Sequence, residues 1–134
     1  MFIFNRSLSG ENFQTTRVLP TTASETYTEG EGLVMTSGAL TKVSATAKPE
    51  YIAAASYVAP ASGNKPLAVY PVLPHHEYLT TFAADASAVT EGAKVTIHTD
   101  GAQVTATTTS GVATITRKLG SGAFATVYLA DDLK

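Results

Sequence analysis

Lys94-Val95-Thr96-Ile97-His98-Thr99-Asp100-Gly101-Ala102-Gln103-Val104-Thr105-Ala106-Thr107 is the stretch that decides the fold. Polar and apolar residues alternate from Lys94 to Thr99, the period of a strand with one buried face. Asp100-Gly101 predicts a two-residue type I′ turn, because both central residues of that turn need φ > 0. Gln103 to Thr107 then reads as the returning strand. Toward the C-terminus, Ser110-Gly111 turns the chain again, Val112 to Arg117 runs back, and Gly120-Ser121-Gly122 leads into Phe124 to Leu129. Asp131-Asp132-Leu133-Lys134 is a polar end.

Upstream the pattern is the same. Leu33-Val34-Met35-Thr36, Ser37-Gly38 and Ala39-Leu40-Thr41-Lys42-Val43 read as strand, tight turn and strand. Tyr51 to Val58 is ambiguous between strand and short helix, and its Tyr and β-branched ends favour strand. Pro60 to Pro66 is a loop, Leu67 to Val72 and Tyr78 to Phe82 are strands, and Ala83 to Ala88 is a connector. The expected fold is all-β, a small β-barrel or sandwich of about eight short strands in residues 29–134.

Composition supports this. The 134 residues are one domain's worth, and burying about two thirds of roughly 20,000 Å² of unfolded surface suffices for one core. Hydrophobic residues, at 44%, exclude a disordered chain. Charged residues are only 15%, and 21 Thr and 21 Ala fill the gap. Branched Thr suits a pleated surface, while Lys and Glu, common on helix surfaces, are scarce.

The charge pattern argues against nucleic-acid binding. Net charge is −2, the nine basic residues are scattered, and Arg117-Lys118 is a pair, not a patch. Without cysteine there is no disulfide framework, thiol nucleophile or Cys-ligated zinc. The apolar runs around Tyr51 to Pro60 and Leu67 to Leu73 are too short to span a membrane. Met1 to Phe4 places apolar residues before the charge of Arg6, the reverse of a signal peptide. The expectation is a protein made and kept in the cytoplasm, or assembled there into something larger.

Candidate chemistry is sparse. In His75-His76-Glu77, alternation lets His75 and Glu77 share a metal while His76 faces away, and His98 would be a further ligand. Nothing in the sequence brings His98 near, and a polar turn after Pro74 is the preferred reading. Ser37, Ser110 and Ser121 sit beside turn glycines without the strand-turn-helix setting of a nucleophile elbow. Glu29, Glu31 and Glu91 lack calcium-loop spacing and read as loop-tip residues. Leu119 to Phe124 resembles a nucleotide loop in composition only. The reading is of no enzyme, no metal and no cofactor.

Residues 1–28 differ from the rest. Phe2, Ile3, Phe4, Leu8 and Phe13 lie among polar residues, and 15–28 is Thr-rich. One reading is a first strand docked on the core. The other, adopted here, is an extended N-terminal arm whose apolar residues bury against a partner chain. A further pattern is an echo: Thr28-Glu29-Gly30 and Thr90-Glu91-Gly92 each lead into a strand that hairpins back. Thr-rich β sequence produces such echoes readily, so chance is preferred over duplication.

The run from Glu29 to Val43, followed by Lys48-Pro49-Glu50-Tyr51-Ile52-Ala53, is similar to the capsid decoration (cement) proteins of tailed bacteriophages. Val69 to Leu73 and Glu91 to Val95 also resemble that family's barrel, so the likeness covers about residues 29–130. It implies a structural virion protein that binds the outside of an assembled head, a major capsid protein as partner and a homotrimer. It also implies a place on the capsid surface after assembly in the host cytoplasm, with no nucleic acid or membrane partner. The alternative is a carbohydrate- or receptor-binding β domain, with Tyr51, Tyr57, Tyr70, Tyr78 and Tyr128 as an aromatic platform.

Overall fold

The computed structural model describes residues 1–7, 14–62, 65–74, 76–119 and 124–129. Among them the chain is all-β, with twelve strands and no helix. In order they are β1 (Ile3–Ser7), β2 (Arg17–Pro20), β3 (Thr26–Tyr27), β4 (Gly32–Thr36), β5 (Ala39–Lys42) and β6 (Tyr51–Ala53). There follow β7 (Tyr57–Val58), β8 (Pro66–Pro71), β9 (His76–Thr81), β10 (Lys94–Val95), β11 (Ala113–Leu119) and β12 (Phe124–Tyr128). One antiparallel sheet has the order β1-β9-β12-β11-β10, a second β2-β8-β6-β4-β5, and β3 pairs with β7. The sheets are open ladders.

The strand count exceeds eight for two reasons. Residues 1–28 supply three strands, and the Tyr51 to Val58 run divides into β6 and β7. Conversely, Gln103 to Thr107 forms no continuous strand: Val104 makes isolated bridges to Ile97 and Phe82, and Gln103, Thr105 and Thr107 bond to His98 and Thr96 through single backbone contacts.

Strands β2-β8-β6-β4 of one sheet and β9-β12-β11-β10 of the other form two units of the same arrangement, the β4–β6 pairing recurring as β10–β11. In the first, Gly30 N–H donates to Ala53 O and Ala53 N–H to Glu31 O. In the second, Gly92 N–H donates to Ile115 O and Ile115 N–H to Ala93 O, each residue 62 positions further on. Gly32 faces Ile52 as Lys94 faces Thr114, and Leu33 faces Tyr51 as Val95 faces Ala113. Even the bridges correspond. Thr21 meets Leu40 in parallel at the end of the first unit, and Phe82 meets Val104 in parallel at the end of the second. The Thr-Glu-Gly echo is therefore structural. Thr28 and Thr90 each accept the N–H three residues on, and Gly30 and Gly92 take φ of 84° and 91°. A side chain is disfavoured there, which explains both glycines.

Alternation along β6 links two cores. Ile52 packs with Tyr78, Ile115, Val127 and Leu129 over the inward face of the first sheet. Ala53, its neighbour, joins Leu33, Leu40, Leu67 and Val69 on the opposite face, closed over by Tyr27. The Tyr27 hydroxyl donates to Leu40 O at 2.6 Å and accepts from Thr22 N–H, so its buried polar end is satisfied.

Threonine hydroxyls explain much of the composition. Thr96 meets Thr105 at 2.7 Å, Thr116 meets Thr126 at 2.6 Å and Thr36 meets Thr41 at 3.0 Å. Such cross-strand pairs let Thr fill half-buried positions without leaving a polar atom unpaired.

Candidate interaction surface

β1 is an edge strand, antiparallel to β9. Phe2, just before it, is 2% exposed and part of the core, and its N–H donates to Gly30 O. Phe4 is half-buried, edge-on to His76 at 4.9 Å and Tyr78 at 6.2 Å between ring centres. Ile3 is 49% exposed and faces outward. Leu8 and Phe13 lie outside the described residues. Of the three expected contact residues that are described, Ile3 is the most exposed. The docked-strand alternative describes residues 2–7, and β2 and β3 run along β8 and β7.

The outward face of the first sheet follows from the register. Ile3, Leu79, Thr126 and Arg117 form one row across β1, β9, β12 and β11. Thr81, Phe124 and Leu119 form the next, with Phe124 49% exposed. Glu77 and Tyr128 form a third row on the same face.

Two β-bulges converge on Glu77. Register shifts between Phe4 and Arg6 on β1, and between Ile115 and Arg117 on β11. A bulge sets two residues against one and re-aims side chains. Here the extra residues, Asn5 and Thr116, both reach Glu77. Asn5 Nδ2 donates to Oε1 at 2.7 Å, Arg6 Nε donates to the same oxygen at 3.1 Å, and Thr116 Oγ1 donates to Oε2 at 2.9 Å. Glu77 is only 3% exposed, so these bonds carry the cost of burying its charge. Arg6 is 59% exposed on its side chain, so the ion pair itself adds little. Asn5, Arg6, Leu79, Arg117, Leu119 and Tyr128 line a cleft of about 570 Å³ over this carboxylate. Sequence reading weighed Glu77 as a metal ligand and missed the anchoring role, because nothing local signals a bulge on a distant strand.

His75 lies outside the described residues, and His98 sits at the start of the Asp100 turn, its N–H donating to Gln103 O. Among the described residues no group of three His, Asp or Glu is placed to hold a metal. The tyrosines do not form one platform. Tyr78 is fully buried, while Tyr51 and Tyr70 occupy opposite faces of their sheet, since Ile52 and not Tyr51 pairs with Tyr70. The Tyr51 hydroxyl accepts from Arg17, whose guanidinium lies 5.8 Å from the ring centre.

Glu31 corrects the loop-tip reading. It is 2% exposed, and one carboxyl oxygen is buried without a hydrogen-bond partner among the described residues. The turn that creates Gly30 directs the chain inward between Ala53 and Gly101, carrying Glu31 with it. Burial pushes its pKa above the ordinary range, against the opposing effects of Thr28 N–H and Lys42. The folded state therefore holds this proton more tightly than the unfolded chain does. The stability this contributes is complete below the ordinary Glu range and is lost as pH rises through the raised folded pKa. Asp100 has the opposite sign: burial would raise its pKa, but Gln103 and Ala102 N–H bonds hold it low, so its contribution fades in acid. Glu31→Gln is expected to raise the melting temperature at pH 7 and to flatten its rise between pH 7 and 5. Thermal melts across that range check this, and an unchanged slope would refute it.

No protein-family model matches the chain, and no curated protein matches it. Among the described residues no helix is long and apolar enough to cross a membrane.

Proposed function

We propose that the protein is a structural virion component that binds the outer surface of an assembled phage capsid and stabilises it. The observation that carries this reading is the outward face of the first sheet. Its half-exposed Ile3 and Phe124 sit beside Leu79 and Leu119 over a rigidly anchored polar centre at Glu77. Interfaces concentrate binding energy in such apolar and aromatic anchors with polar groups around them. The similarity of residues 29–43, 48–53, 69–73 and 91–95 to decoration proteins supports the choice of a capsid as partner. A homotrimer would engage several lattice sites at once, so modest contacts sum through effective concentration.

Ile3 is the residue through which to test the contact, since replacing Phe2 would damage the core. Cryo-electron microscopy of particles assembled with the chain is expected to show extra density on the outer capsid surface. Ile3→Asp/Phe124→Asp particles are expected to lose it while the purified variant stays folded. Particles bare of density with the unaltered chain would end the proposal.

A further inference from the structure

The same face carries a charge pattern that the shell-binding reading does not explain. Each bulge delivers an arginine: Asn5-Arg6 on β1 and Thr116-Arg117 on β11. Both arginines line the cleft above Glu77. Among the described residues Arg6 engages Glu77 through its Nε, and its side chain is 59% exposed. Arg117 has no acidic partner among the described residues and is exposed. Glu77 has both oxygens engaged, so its charge is committed within the sheet. In a chain of net charge −2, this face offers, among the described residues, two guanidiniums against one satisfied carboxylate.

The internal repeat shows that these features are specific to the second unit. β6 and β8 pair without a register shift where β11 and β12 are bulged. The first unit also has no strand equivalent to β1 beyond its β2 edge. Bulges of this kind interrupt a ladder and leave a residue unpaired, so two of them serving one face mark a built arrangement.

We propose that this face is a docking surface for an extended segment of a protein partner that carries carboxylates beside aliphatic residues. The carboxylates would be received by Arg6 and Arg117, whose planar forks suit them, and the aliphatic groups by Ile3 and Phe124. The segment would lie across the outward face of the sheet, over β1, β9, β12 and β11, where both arginines and both apolar side chains are in reach. A nucleic acid fits less well, because the two arginines are separated by apolar side chains and form no basic track. The proposal rests on the reading of this face as the contact surface and adds the chemistry of what it contacts.

The test is fluorescence anisotropy of the full chain with three labelled octapeptides: alternating Glu and Val, Lys and Val, or Ser and Val. The acidic peptide alone is expected to bind, with affinity falling roughly tenfold at high salt and in Arg6→Gln/Arg117→Gln. Arg117→Gln alone breaks no side-chain bond among the described residues and is expected to weaken binding several-fold at an unchanged melting temperature. Equal binding of the basic or neutral peptide overturns the proposal, as does acidic-peptide binding that ignores both arginines. Equally tight binding of an oligo-dT strand, or self-association abolished by Arg117→Gln, overturns it in favour of a nucleic acid or a second copy. Particles decorated by a chain that fails with the acidic peptide would refute this inference and leave the capsid proposal standing. Peptide binding with bare particles would do the reverse.

Discussion

Gly111→Ala is expected to lower the melting temperature by roughly 10 °C, corresponding to about 3 kcal/mol. A methyl group at this position would lie 2.6 Å from Val95 N and closer still to the Lys94 carbonyl, all backbone atoms of β10. Flexible side chains can yield to such an intrusion, but a strand cannot without breaking its pairing. Val112 N–H donates to Val95 O at 2.9 Å, the bond that would be pried apart. Gly38→Ala is the comparison. Nothing lies within 4 Å of a methyl there, but φ is 84°, so only backbone strain of about 1–2 kcal/mol is expected. Circular dichroism melts of both variants decide the matter. A Gly111→Ala shift no larger than that of Gly38→Ala would show that the two backbones do not approach as described.

Ile115→Ala is the second large effect. The side chain is fully buried in the core over the first sheet, and truncation is expected to cost about 3 kcal/mol. The repeat supplies its counterpart, because the same place in the first unit is held by Ala53 in the other core. Ala53→Ile should therefore overpack and cost about 1–3 kcal/mol. Since the residues belong to separate clusters, the double variant is expected to sum the single effects within about 0.5 kcal/mol. Denaturant melts measure all three. A double variant more stable than Ile115→Ala alone would mean the two cores are one.

The turns were the most legible part of the sequence, for a local reason. Ser37 and Gly38 both take positive φ, at 52° and 84°, as the predicted two-residue hairpin requires. Asp100-Gly101 was read as the same turn, yet only Gly101 is left-handed, at 70°. The Asp100 carboxylate instead accepts the Ala102 N–H and a Gln103 side-chain bond, which favours a longer loop. Residues 1–28 were harder to read because their strands borrow partners from residues 57–81, and a lone apolar segment does not name its partner. The Glu77 site was not readable at all. Asn5, Glu77 and Thr116 are far apart in sequence, and only the bulges bring them together.

The pairing of β1 with β9 also orders events in time. Asn5 meets Glu77 across 72 residues, whereas β2, β4, β5, β6 and β8 all come from residues 17–71 and β9 to β12 from residues 76–128. Closure entropy rises with loop length, and domains form as they leave the ribosome, N-terminal parts first. The first unit can therefore assemble while the second is still being synthesised. Ile3–Ser7, made before β9, must wait for it to seat against them. Until then Phe2 has no core to enter. β1 is thus made ahead of the rest of its sheet and stays undocked, with Phe2 and Phe4 uncovered, until β9 follows.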